Sequence, residues 1–125
     1  MKRSRTLLES FMYAISGILY TLRTQRNIRI HFLTTILVLL LSWLMNLRAL
    51  ELLLVIVAIT LVIVAEMINT AIETVVDMYT KEYHPLAEVA KNVAAGAVLI
   101  TVLNAIVIGY YVFLKKLPMS FGFLK

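Results

Sequence analysis

Four side chains able to do chemistry recur along one short stretch, V-A-E-M-I-N-T-A-I-E-T-V-V-D, from Val64 to Asp77. Glu66, Asn69, Glu73 and Asp77 follow one another at intervals of three, four and four residues. On a helix turning about 100° per residue they fall within an arc of about 80°, so they share one face. Ile68, Ile72, Val75 and Val76 keep the opposite face apolar. Glu66 and Glu73 are separated by about 10.5 Å of helical rise, too far for two short ligands to chelate one ion casually. Asn69 stands between them at i+3 and i−4, within hydrogen-bonding reach of either. The spacing suits divided labour, one carboxylate acting as a general base and another serving a divalent ion. Beyond a polar connection, His84 and Glu88 lie four apart and Lys91 opens the next apolar run. A lysine there can meet phosphates, while carboxylates hold Mg²⁺ with several waters retained. No Walker loop or protein-kinase glycine loop is present, so a nucleotide site has to be of another kind.

The acidic stripe grows out of an apolar run, Leu52 to Ala65. Carboxylates on so apolar a helix are costly near a bilayer and default to a functional role with an inward-facing partner. The plain alternative, a solvated face on a soluble helix, is opposed by the continuity of that run. Composition agrees: the 125 residues are 62% hydrophobic, with a mean hydropathy of +0.92. One domain of this size cannot bury so much apolar surface within itself, so lipid or sister subunits must cover it. The net charge of +5 comes from basic residues beside apolar blocks. That pattern speaks for anionic headgroups and against nucleic acid, which would need a basic patch with stacking aromatics. The absence of cysteine excludes disulfides and thiolate metal sites. The first apolar block begins near residue 31 without a small-residue cleavage site, so no cleavable signal is expected.

The expected architecture is an all-α membrane protein, with an amphipathic surface helix over 1–27 and transmembrane helices over 28–47, 49–77 and 86–114. Leu7, Leu8, Phe11, Ile15, Ile18, Leu19 and Leu22 give the first segment one broad apolar face, flanked by Lys2, Arg3, Arg5, Arg23, Arg26 and Arg29. In the first span Trp43 suits the far interface, and Arg29 and His31 can snorkel at the near one. A short link, M-N-L-R-A-L-E, makes the first two spans antiparallel neighbours. The second span carries the stripe toward the opposite boundary and ends in a cytoplasmic extension, Glu66 lying in the headgroup-side third and Asp77 past the boundary. Residues 78–91 form the long polar connection, in which Pro85 breaks the helix locally or starts the next. The third span runs from Val93 to Leu114, 22 residues without a charge, and closes on Tyr110, Tyr111, Phe113, Lys115 and Lys116. Ala90, Ala94, Ala95, Gly96 and Ala97 allow close backbone approach, and Thr101 and Asn104 suit interhelical hydrogen bonds.

An inside amino terminus places eight Lys/Arg on the side of the stripe, counting Lys81 and Lys91. Arg48, Lys115, Lys116 and Lys125 remain on the other. The stripe is therefore expected to face the cytoplasm, in a multi-pass membrane protein. Three functions compete on these grounds: phosphoryl transfer, a cation- or proton-coupled transporter, and a non-catalytic membrane scaffold. Transporter sites favour the bilayer midplane, whereas these acids lie where ATP can reach them.

E-M-I-N-T-A-I-E-T-V-V-D at 66–77, E-Y-H at 82–84, A-K at 90–91 and A-A-G-A-V-L-I at 94–100 resemble, with unbroken spacing, the small prokaryotic integral-membrane diacylglycerol and undecaprenol kinases. Q-R-N-I-R-I-H at 25–31 looks more like the undecaprenol branch. The resemblance covers nearly the whole chain. It implies a homotrimeric helical bundle with active sites shared between neighbours. It further implies transfer of the γ-phosphoryl of MgATP to a lipid hydroxyl at the cytoplasmic interface, undecaprenol first and diacylglycerol as the alternative. Carried over by position, Glu66 matches the catalytic base and Glu73 a metal ligand, while Asn69 and Asp77 match supporting polar residues. Tyr13, Glu82, Tyr83, His84 and Lys91 match ATP contacts. Two positions depart from the family pattern: a glutamate that helps hold the metal is replaced by Gln25, and an aspartate of the ATP site, after the lysine, by Asn92. Each change swaps a carboxylate for an amide of similar shape, and a neutral amide oxygen is the poorer Mg²⁺ ligand.

Overall fold

The computed structural model describes residues 6–117. Lys2, Arg3, Arg5 and Lys125 of the charge pattern lie outside the described residues. Four α-helices follow one another: α1 (Leu7–Thr24), α2 (Arg26–Leu44), α3 (Ala49–Tyr79) and α4 (Pro85–Gly109), the last continuing as a π-helical turn over Tyr110–Leu114. Three of them are long and apolar enough to cross a membrane: α2, α3, and α4 with its π-helical extension. Together with the sequence, this makes the chain an all-helical, multi-pass membrane protein. Its large apolar residues are mostly exposed, from Leu33 and Ile36 on α2 to Ile100 and Val107 on α4. That distribution suits a chain whose outer surface meets lipid, and makes little sense in water.

Thr6 starts α1 with a reciprocal cap: its hydroxyl accepts from the Glu9 amide, and the Glu9 carboxylate accepts from the Thr6 amide, both at 3.2 Å. The helix ends at Thr24, and the single extended residue Gln25 separates it from α2. The expected surface helix ran on to residue 27. The reason for the earlier break is local: Leu22 is the last apolar residue of the stripe, and R-T-Q-R-N offers nothing to bury. The Thr21 and Thr24 hydroxyls also turn back onto the carbonyls of Gly17, Ile18 and Tyr20, drawing the last turn away from a regular continuation. On the other side of the break Ile28 is fully buried and fixes which face of α2 turns inward.

The turn between α2 and α3 is closed by Asn46, whose φ of 49° is one that asparagine tolerates better than most residues. The same end is tied by Lys116, which lies 2.7 Å from the Glu51 carboxylate and donates to the Asn46 carbonyl at 3.4 Å. α3 and α4 form the most extensive packed pair, and α2 lies more lightly against α3. Between them an apolar groove of about 320 Å³ is floored by Val55, Ala58 and Val62 of α3, with α2 and α4 as its walls. Pro85 occupies the first position of α4, where its missing N–H costs nothing, so it starts the helix. The non-helical link between α3 and α4 is therefore only Thr80–His84, where the expected helices over 49–77 and 86–114 left 78–85, because each helix runs slightly further.

Candidate active site

The buried residues of α3 are Val55, Ala58, Val62, Glu66 and Thr70, a three–four spacing that traces one inward stripe. Glu66 sits where that stripe meets the acidic one, and only 4% of it is exposed. Seventeen residues separate it from the start of α3, about 26 Å of rise, which is close to the far boundary of a bilayer core about 30 Å thick. A buried carboxylate needs a donor, and it has one: His31 Nε2 lies 3.2 Å from Glu66 Oε1. Thr70 completes the local network by donating its hydroxyl to the Glu66 carbonyl at 2.9 Å. Sequence reasoning placed His31 at the membrane boundary and missed this pairing. The two residues stand 35 positions apart on different helices, and no local spacing rule joins them.

One turn further along α3, Asn69 Nδ2 donates to Glu73 Oε1 at 3.0 Å, the i,i+4 contact that the spacing allowed. Asn69 Oδ1 is buried and has no hydrogen-bond partner. An orphaned oxygen beside a half-buried carboxylate leaves acceptor capacity for a proton donor or a hard cation. Among the described residues no three acidic or histidine side chains converge into a cage for a metal ion. The donor set is nevertheless of the right kind for magnesium, which keeps several waters and takes few protein ligands alongside phosphate.

Beyond Glu73 the structure opens into a basin of about 280 Å³ between the end of α3 and the start of α4. Asp77, Glu82, Tyr83, His84, Lys91 and Asn92 all line it, so six of the expected site residues share one recess. Lys91 Nζ reaches Asp77 Oδ1 at 2.6 Å, a pair that is largely open to water. His84 has a second task as the N-cap of α4: its Nδ1 accepts from the Leu86 amide at 3.2 Å, which leaves Nε2 outside the cap. Tyr13 and Gln25 are not in the lining of the basin. Tyr13 is exposed on α1. Gln25 is half-buried in the break between α1 and α2; its backbone N–H bonds the Thr21 carbonyl, and its side chain makes no capping hydrogen bond.

Three consecutive zones thus run along one face of α3: a buried acid paired with histidine, an amide–carboxylate pair, and an open basin holding a lysine. This defines a helical membrane protein whose polar machinery is gathered at one end of its spans. Residues 12–113 match the family described as prokaryotic diacylglycerol kinase. A diacylglycerol kinase of Synechocystis sp. is 42% identical over 104 residues, covering 82% of this chain and 59% of that protein. An undecaprenol kinase of Bacillus subtilis is 39% identical over 109 residues, 87% of this chain and 89% of that one. A diacylglycerol kinase of Escherichia coli is 42% identical over a shorter stretch of 50 residues. The chain belongs to the prokaryotic diacylglycerol kinase family of lipid kinases.

Proposed function

We propose that the chain is an ATP-dependent lipid kinase that phosphorylates the hydroxyl of undecaprenol. In this reading it works as a homotrimer in the bacterial inner membrane, with its amino terminus and acidic stripe on the cytoplasmic side. The observation that carries the reading is the graded burial along α3. Glu66 is enclosed among the spans, while Asp77, eleven residues on, stands in a basin that is open to solvent. A lipid hydroxyl and a water-soluble nucleotide need those two environments side by side.

Glu66 accepts the hydroxyl proton as the alcohol oxygen forms its bond to the γ-phosphorus. The bond from that phosphorus to the β–γ bridging oxygen breaks, and its electron pair leaves on ADP. Lys91 faces the phosphates from the basin, released from Asp77 as they arrive, while Glu82, Tyr83, His84 and Asn92 surround the rest of the nucleotide; Tyr13, outside the basin on α1, is assigned to the nucleotide by the family resemblance alone. Glu73, held in orientation by Asn69, would carry Mg²⁺ together with Gln25, and the ion when bound offsets the charge gathering on the phosphoryl oxygens.

Undecaprenol is favoured over diacylglycerol by the relative in Bacillus subtilis, named an undecaprenol kinase and matched over nearly the whole of both chains. A second reading, synthesis of phosphatidic acid from diacylglycerol, draws on the names of the Synechocystis and Escherichia coli relatives. Purified protein given γ-labelled MgATP and equal amounts of both lipids in one vesicle distinguishes them. The label is expected mainly on undecaprenol; label mainly on diacylglycerol would reverse the choice, and unlabelled lipid would remove the kinase reading.

A further inference from the structure

His31 and Glu66 meet across two spans, and the chemistry of Glu66 as described does not yet use the histidine. We propose that His31 is a positioning residue that sets the geometry of Glu66, an assignment that rests on Glu66 being the general base. The carboxylate is enclosed, and among the described residues its hydrogen-bond partner is His31 Nε2, at 3.2 Å. Two lone pairs would repel at that distance, so the ring carries its proton on Nε2 and donates. One carboxylate oxygen is thereby engaged and the other stays free to accept a proton, with the plane of the group fixed between them.

The surroundings of His31 are built to hold it there. Ile28, one turn earlier on α2, is completely buried and sets the rotation of the helix. The Thr35 hydroxyl donates to the His31 carbonyl at 2.8 Å, a turn later on the same face. His31 itself is half-buried, with its side chain 24% exposed, and it forms one end of the apolar groove between the spans. A boundary histidine that merely snorkelled toward water would turn outward instead. An imidazole N–H is directional, so it fixes the orientation of a buried carboxylate while leaving the second oxygen to face the substrate hydroxyl.

The test compares parent, His31→Gln, His31→Asn and His31→Leu protein in vesicles containing undecaprenol, with MgATP varied. Glutamine places an amide N–H near the position of Nε2; asparagine is too short and leucine has no donor. Removal of an orienting partner of this kind typically costs 10–100-fold, so kcat is expected to fall by about that factor in His31→Leu and His31→Asn. KM for MgATP should remain within about twofold of the parent, and His31→Gln should retain kcat within about threefold, since the basin is untouched and the donor restored. Melting temperatures in detergent identify any variant that fails to fold, and either the leucine or the asparagine variant suffices. Parental kcat in a folded leucine or asparagine variant would overturn the assignment, as would a glutamine variant as slow as the leucine one. If the parent itself transfers no phosphoryl to lipid, the kinase reading falls and this role with it; the other outcomes leave that reading standing.

Discussion

Along the acidic face, exposure rises residue by residue from Glu66 through Glu73 to Asp77, and with it the chemistry each carboxylate can perform changes. A buried acid with one histidine donor suits proton abstraction, whereas an exposed aspartate beside Lys91 is a screened ion pair worth less than about 1 kcal/mol. The pair can therefore open for phosphate at little cost to the fold. The two amides belong to this scale as well. Gln25→Glu should lower the Mg²⁺ concentration for half-maximal activity, by about tenfold, because a hard anionic oxygen replaces a neutral one. Asn92→Asp, next to Lys91 in the basin, should instead change the apparent affinity for ATP. A titration of both ligands against parent and single variants separates the two effects, and identical curves for all three would show that the amides are neutral here.

At the scale of elements, the placement of the site depends on how α2 seats against α3. Ile28 is the fully buried residue just past the break at Gln25, and His31 follows it by one turn. Ile28→Ala should therefore cost about 2–4 kcal/mol, read as a lowered melting temperature in detergent, with transfer slowed as His31 loses its register against Glu66. A melting temperature equal to the parent's would mean that the α2–α3 contact does not set the site. Much of this framework was legible in the sequence: three apolar blocks, a three–four spaced acidic stripe, and a helix boundary at Pro85. Asn69 to Glu73 was legible because i,i+4 is a property of one helix. The break at Gln25 was not, since no proline or glycine marks it and the threonine back-bonding that weakens the turn carries no strong local signal. His31 to Glu66 was not legible either, because a contact between two spans depends on how one helix is rotated against another, which composition and period leave open.

At the scale of the molecule, apolar side chains of all three spans face outward, and the small-residue start of α4 is only partly used within the chain. Ala94 is buried, but a Cβ added at Gly96 would meet nothing within 4 Å. Close helix approach by a neighbouring copy would make use of that space. Bifunctional crosslinking in native membranes should accordingly give species up to three chains; monomers alone would contradict a trimer. The opposite end of the bundle, with Lys116 on Glu51, is a structural tie more than twenty residues of helix from the basin. The central claim is that the chain transfers phosphoryl groups to lipid with Glu66 as the base. Side-by-side assay of parent and Glu66→Gln protein with γ-labelled MgATP and undecaprenol tests it most directly, with elution volume and melting temperature matched to the parent's to confirm the fold. The amide keeps the shape and loses the proton-accepting charge, so label in lipid should fall by at least about 10²-fold. A folded Glu66→Gln protein that labels lipid at close to the parental rate would contradict the account.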